Sequence, residues 1–324
     1  MNTPWTALLA QAPQPAATTT PATALTPLPS LAVIQLTGPE SLKFLQGQAT
    51  TDFREVEKGR VLRGGICSLK GRLLFSFIAV PQGENVALVL PADQLEAALA
   101  HLKKYAVFSK TQLAASPLAL LGVTGPEAEA QVHALLGKVP GQEQVVQSAD
   151  GRWALRIGAE NRFLVALPDA ALQAHWPDIQ KALAGESLWW AAEIQAGLAT
   201  VFAASRDLFQ PQELNLHALE AVSYNKGCYT GQEVVARLYF RGKLKQRLYH
   251  LRGNAQGAQP GSAVNAGTTH VGDVVMSSTH DGVLELLAVV KNTAVRDQAL
   301  SYGENGPALV EIPLPYALPS DKEE

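Results

Sequence analysis

Apolar and polar positions fall into two matching blocks followed by a region of different texture. "LAVIQLTGPESLKFLQGQ" (31–48) and "LALLGVTGPEAEAQVHALLG" (118–137) each run from a short apolar stretch through TGPE into helical spacing. Thr followed by Glu three residues later is a capping-box pattern, so Thr37 and Thr124 are expected to cap helices, with Glu40 and Glu127 reaching back. Pro39 and Pro126 fall in the first turn, where a missing N–H costs little. The first block continues with strand-like runs at 61–69, 72–80 and 85–90 and helical spacing over 92–107. The second continues with runs at 152–159 and 162–167 and helical spacing over 169–185. Each half approximates βαββαβ, and duplication is favoured over two unrelated α+β units that share a helix start. From about residue 246, short strands punctuated by Gly, Asn and Asp replace helical periodicity, which predicts a small antiparallel barrel or sandwich ending near Leu318.

Composition adjusts this picture. At 324 residues the chain is long for a single core. The expected division is two α+β domains over 28–245, with units at about 28–112 and 113–200 and a motif segment at 201–245. A barrel over 246–318 and a frayed acidic tail at 319–324 complete it. Residues 1–27 carry no charged side chain and are rich in Ala, Thr and Pro. They are read as a disordered tail on a cytoplasmic protein, lacking the basic start of a secretory signal and the arginines of a transit peptide. No run of 18 apolar residues predicts a membrane span. A net charge of −3 excludes a global basic field, so any nucleic-acid contact must be a local patch. Two cysteines and seven scattered histidines argue against a disulfide framework and against a protein-bound metal.

Candidate chemistry concentrates in "SYNKGCYTGQEVVARLYFRGK" (223–243). TGQE (230–233) is again a capping-box pattern, here opening a helix. Cys228 lies two residues before Thr230, where the positive end of the helix dipole and the nearby Lys226 would lower a thiol's pKa below about 8.5. Gly227 and Gly231 permit close backbone approach to a ligand. A buried Cys acting as a small hydrophobe is the competing reading. The polar, Gly-flanked setting favours a reactive or ligand-facing thiol, whereas Cys67, in an apolar run, reads as structural. Arg237, Arg241, Lys243, Lys245 and Arg247 place five cations in eleven residues, either a solvated helix end or an anion-binding rim. "QGQATTD" (46–52) offers Gln48, Thr50 and Asp52, and "FQPQELNLHAL" (209–219) offers Gln212, Glu213 and Asn215. Both are dense enough in polar groups to orient a heterocycle, or are ordinary loop chemistry.

"NKGCYTGQEVVAR" (225–237) resembles the K-G-C-Y-x-G-Q-E signature of the YgfZ family of folate-binding proteins linked to tRNA modification. "QPQELNL" (210–216), "FLQGQATTD" (44–52) and "LKGRLLFSF" (69–77) fit the same family, so the resemblance spans about residues 30–318. The wider superfamily includes the glycine cleavage T-protein, a tetrahydrofolate-dependent aminomethyltransferase. The resemblance implies an α+β fold of three domains in a ring around a folate pocket, the first two interleaved in sequence and the third a small barrel. It implies tetrahydrofolate or a one-carbon derivative as cofactor, and a role in maintaining iron–sulfur enzymes, including one that methylthiolates tRNA. Carried over by position, Cys228 is the functional thiol, with Lys226 beside it. The implied folate contacts are Gln48, Thr50, Asp52, Lys70, Arg72, Gln212 and Asn215, together with Gly227, Tyr229, Gly231, Gln232 and Glu233. The T-protein places an acid after a Gly-Gly turn to assist attack by the folate nitrogen. Here Phe75 and Ser76 stand where acids are expected, which argues against that reaction.

The resulting expectation is a cytoplasmic folate-binding accessory protein acting through Cys228. Its expected partners are iron–sulfur enzymes or assembly proteins, with tRNA contact through Arg237–Arg247 and no membrane. A folate-dependent one-carbon transferase and a plain RNA-binding module are the rivals.

Overall fold

The computed structural model describes residues 3–12, 22–158, 160–254, 257–280 and 282–318. The first half runs α1 (Thr3–Gln11), β1 (Ala24–Pro27), β2 (Leu31–Thr37), α2 (Ser41–Gln46), α3 (Phe53–Glu57), β3 (Leu62–Cys67), β4 (Leu73–Gln82), β5 (Asn85–Pro91), α4 (Leu95–Tyr105) and β6 (Gln112–Ser116). There follow β7 (Ala119–Thr124), α5 (Ala128–Leu136), β8 (Val145–Gln147), β9 (Trp153–Arg156), β10 (Arg162–Leu167), α6 (Asp169–Ile179), α7 (Glu186–Gln195) and α8 (Gln232–Arg241). The last region holds β11 (Gln246–Gly253), β12 (Ala263–Ala266), β13 (Thr269–His280), β14 (Val283–Lys291), α9 (Asn292–Asp297), β15 (Leu300–Tyr302) and β16 (Ala308–Ile312).

Two five-stranded sheets carry the repeat, in the orders β3-β4-β5-β2-β6 and β1-β7-β10-β9-β8. Taken from opposite ends these are one topology, with β2 matching β7, β5 matching β10, and β6 matching β1. The antiparallel pairs β2·β5 and β7·β10 are equivalent, as are β2·β6 and β7·β1. Each half therefore places three strands between its opening and closing helical segments, one more than βαββαβ. The sequence understated β8 because its three residues are half-exposed and carry no apolar alternation. The other departure is the fifth strand. In the first sheet it follows α4, whereas in the second it is β1, supplied from the N-terminal side of the chain.

The TGPE repeat works through glycine rather than through a capping box. The helices start later than the Thr residues, at Ser41 and Ala128, and Glu127 at the second start makes no side-chain capping bond. Gly38 and Gly125 adopt φ of +118° and +115°, and a Cβ there would come within 2.5 Å of the Lys110 carbonyl and 2.2 Å of the Ala22 carbonyl. Each glycine thus presses against the chain just before its sheet's fifth strand, which only a residue without Cβ allows. Glu40 accepts the Lys110 N–H, and Thr23 accepts the Glu127 N–H.

Residues 1–27 are not a tail throughout, and this expectation is corrected. Trp5, Leu8 and Leu9 follow helical spacing on α1, and Trp5 is fully buried among Leu25, β7, α5 and α6, edge-on to Trp176. β1 is buried along its whole length. Residues 13–21 and the acidic tail 319–324 lie outside the described residues.

The chain divides into two compact units. One comprises Met1–Leu45, Phe53–Leu62 and Phe77–Glu186, and the other Gln46–Asp52, Arg63–Ser76 and Ser187–Glu324. The second contains a closed six-stranded barrel, β11-β14-β13-β12-β15-β16. The near-continuous apolar run of β14 reflects burial on both faces. Leu286, Ala288 and Val290 fill the barrel, while Leu287 and Val289 join an outer core with Leu214, Leu216, Val235 and Leu248. Glu285 is the polar exception on β14, and it accepts from His250 and Arg252. No helix among the described residues is long and apolar enough to cross a membrane.

Candidate functional site around Cys228

Four stretches of the second unit meet at the cysteine loop: 46–52, 67–76, 207–216 and 223–241. Thr50 joins the first to its neighbours. Its hydroxyl donates to the Ala221 carbonyl at 2.7 Å and accepts the Gly65 N–H at 3.0 Å. Its N–H donates to Gly65 and its carbonyl accepts the Ser223 N–H. Lys226 grips the same strip from the other side. Its buried ammonium donates to the carbonyls of Ala49 at 2.6 Å and Thr51 at 2.8 Å, and lies 5.1 Å from the centre of the Tyr229 ring. The ammonium expected to activate the thiol is engaged with backbone oxygens.

The 68–72 turn is closed by Ser68 N–H to Arg72 and Gly71 N–H to Ser68. Asp207 anchors it by accepting the Ser68 hydroxyl at 2.7 Å. Gly231, not Thr230, caps α8, at φ +81° and with no side-chain capping bond. A Cβ on Gly231 would sit 2.4 Å from the Ser68 carbonyl, and one on Gly71 would sit 2.8 Å from Val234. These two glycines let the turn and the start of α8 touch backbone to backbone. Gly227 differs, since a Cβ there would meet nothing within 4 Å. Gln232 folds back to accept the Tyr229 N–H at 3.3 Å. Glu233, Lys70 and Arg72 are exposed.

The two thiols have opposite environments. Cys228 is exposed and Cys67 buried. Burial, with the Asp207 carboxylate adding, pushes the Cys67 thiol up to about 12. Cys67 is therefore inert packing. In the native protein iodoacetamide is expected to modify Cys228 at least about 100-fold faster than Cys67, the gap closing on denaturation. Peptide mapping after timed alkylation reads this, and comparable native rates would contradict the placement.

The polar candidates separate into two sets. Asn215, at φ +56°, donates to the Leu248 carbonyl at 3.3 Å, and Glu213 accepts from Gln210 N–H and Gln246. Asp52 accepts from Gln46 at 3.0 Å. With Thr50, these hold the scaffold. Gln212 donates to Tyr224 at 3.1 Å and to the Val235 carbonyl at 2.6 Å, leaving its own carbonyl oxygen buried without a partner. The Gln48 carbonyl oxygen, the Thr51 hydroxyl and the Tyr229 hydroxyl are in the same condition. Burial pushes the Tyr229 phenol above its ordinary value, with Cys67 and Tyr224 adding to the effect. An unpaired buried polar atom costs about 1–3 kcal/mol, so these four, spread over the stretches that meet at the cysteine loop, suit a polar guest that donates and accepts hydrogen bonds. Thr51 was missed in the sequence, although it adjoins Thr50 in the same polar run.

Phe75 is fully buried, and the Ser76 hydroxyl accepts the Val201 N–H at 2.9 Å. No carboxylate stands at either position. No group of three or more His, Cys, Asp or Glu arranged to hold a metal ion exists among the described residues.

No family model matches this chain. Curated proteins do. The tRNA-modifying protein YgfZ of Serratia proteamaculans is 35% identical over 325 aligned positions, covering 95% of this chain and 97% of that protein. The chain belongs to the YgfZ family. The YgfZ of Yersinia enterocolitica is 34% identical over 302 positions, 90% of this chain and 92% of that one. YgfZ relatives therefore match across both compact units, cysteine loop included. Among solved structures, the glycine cleavage system aminomethyltransferase T from Bartonella henselae superposes with a TM-score of 0.73 at 21% identity. It covers 91% of this chain and 86% of its own. The chain thus shares the T-protein fold, which by itself carries no reaction with it.

Proposed function

We propose that the protein is a folate-binding accessory factor in tRNA modification, acting through the Cys228 thiol in support of iron–sulfur enzymes. The observation that carries this reading is the pairing of an exposed thiol with tightly held neighbouring stretches on which Gln48, Thr51, Gln212 and Tyr229 each have a buried polar atom without a partner. The tRNA-modifying names of the relatives and the T-protein fold support it. A pterin ring presents several N–H donors and acceptors, which those four residues fit. When bound, tetrahydrofolate supplies a reduced carrier for a one-carbon unit. The chain's residues would orient the ring and exclude water from it.

One thiol cannot hold a cluster that normally takes four protein ligands, so any cluster contact is transient or completed by a partner. Without a carboxylate at positions 75 and 76, general-base assistance to a folate nitrogen has no candidate there. A glycine-cleavage assay tests the transferase alternative, and robust turnover would favour it. A cytoplasmic site of action and iron–sulfur assembly proteins as partners are part of the same proposal, as is tRNA contact along Arg237–Arg247.

The direct test is Tyr229→Phe. Removing a buried hydroxyl without a partner leaves stability equal or slightly raised, while loss of its bond to folate weakens tetrahydrofolate binding about 5- to 10-fold. Calorimetric titration with tetrahydrofolate and its one-carbon derivatives measures this. Unchanged affinity in the variant, or no binding by the wild type, would overturn the folate assignment.

A further inference from the structure

Helix α8 begins four residues after Cys228, and its far end carries an unusual surface. Arg237, Arg241, Lys243 and Lys245 are all exposed. None of the four side chains has an ion-pair or hydrogen-bond partner among the described residues. The stretch 237–247 contains no acid, and the nearest on the helix is Glu233 at its opposite end. Tyr239 and Phe240, between these cations, are 41% and 57% exposed. They are also fixed. Tyr239 stacks on Tyr224 with centroids 3.8 Å apart and planes at 15°, and Phe240 stands edge-on to Tyr239 at 5.0 Å. Tyr224 in turn is held by Gln212. A pre-organised aromatic pair in water, flanked along the chain by exposed cations without ion-pair partners, matches a ligand that has both phosphates and a planar apolar face.

We propose that Tyr239 and Phe240 form a stacking platform for an unpaired RNA nucleotide, with Arg237, Arg241, Lys243 and Lys245 holding the flanking phosphates. This rests on the tRNA reading above and narrows it to a loop or single-stranded segment. Bases inside an A-form stem keep their faces stacked on one another and offer nothing to an aromatic ring, whereas loop bases can be splayed onto one. The ten residues of α8 rise about 15 Å, so the platform places a loop nucleotide within one helix length of the cysteine loop.

The test measures fluorescence anisotropy with a labelled 17-nucleotide hairpin bearing a seven-nucleotide loop and with a fully paired 17-base-pair RNA. The wild type is expected to prefer the hairpin. Phe240→Ala should weaken hairpin binding about 10-fold without changing the salt slope, and Phe240→Trp should restore it. A Lys243→Ala, Lys245→Ala double variant should instead flatten the slope of log affinity against log salt by about 1.4. Equal binding of both RNAs, or an unaffected Phe240→Ala, overturns the platform while leaving tRNA contact standing. Binding of neither RNA by the wild type overturns both. Displacement of the hairpin by triglutamyl tetrahydrofolate would reassign the rim to the folate tail.

Discussion

Cys228→Ala is expected to fold normally and to lose function. An exposed thiol contributes little packing, so stability should stay within about 0.5 kcal/mol of wild type. Tetrahydrofolate affinity should also stay near normal, because the atoms assigned to the ring belong to other residues. In cells carrying only the variant, the methylthiolated fraction of the tRNA adenosine should fall at least about 10-fold, towards the level of cells without the protein. Cys228→Ser should behave the same way, since a hydroxyl at neutral pH is neither a soft ligand nor a ready nucleophile. Nucleoside analysis of bulk tRNA reads the result. An undiminished methylthio fraction in both variants would remove the thiol from the proposed function.

Lys226→Ala is expected to act in the opposite way, through the fold. Its ammonium is buried, holds two carbonyls that flank fully buried Thr50, and packs on Tyr229. Truncation leaves both carbonyls without that donor, a loss of about 2–4 kcal/mol in the second unit. For a chain of this size that corresponds to a fall of roughly 5–15 °C in the transition that includes this unit. Folate binding should weaken in parallel, because Gln48 and Thr51 lie on the strip that loosens. Differential scanning calorimetry with and without tetrahydrofolate measures both. A thiol-activating role alone would slow alkylation of Cys228 and leave the melting temperature unchanged, so the two readings of Lys226 give separable results.

Much of this architecture could be read from residues alone, and the failures share a cause. The TGPE repeat marks two sheets of one topology because a Gly at positive φ must lie against the chain before the fifth strand. The barrel was visible in its short strands, its Gly, Asn and Asp turn residues and the loss of helical periodicity. The T-x-x-E spacing, however, predicted capping boxes at three sites, and glycine geometry governs all three. Spacing reveals that a side chain can reach back, but not whether the backbone takes a left-handed turn first. The N-terminal segment was misjudged from composition. Lack of charge and abundance of Ala and Pro suggested no structure, yet Trp5 and β1 are buried by tertiary partners far along the chain. At the site, the exposed thiol was legible from its polar, glycine-flanked loop. The division of labour among nearby polar residues was not, because Thr50 and Asn215 are recruited by carbonyls of Ala221 and Leu248, distant in sequence.

The borrowed edge strand has a consequence for synthesis on the ribosome. Ala24 pairs with Thr124 and Pro27 with Leu121. At 5–20 residues per second, the first strand to emerge waits about 5–20 s for its neighbour to be made. During that interval residues 31–116 can assemble their own sheet, whose five strands all lie between them. The opening segment therefore cannot take its place until the chain has been made as far as β7. Because that segment completes the later sheet, a cut at the boundary between the repeats would part β1 from the strand it pairs with.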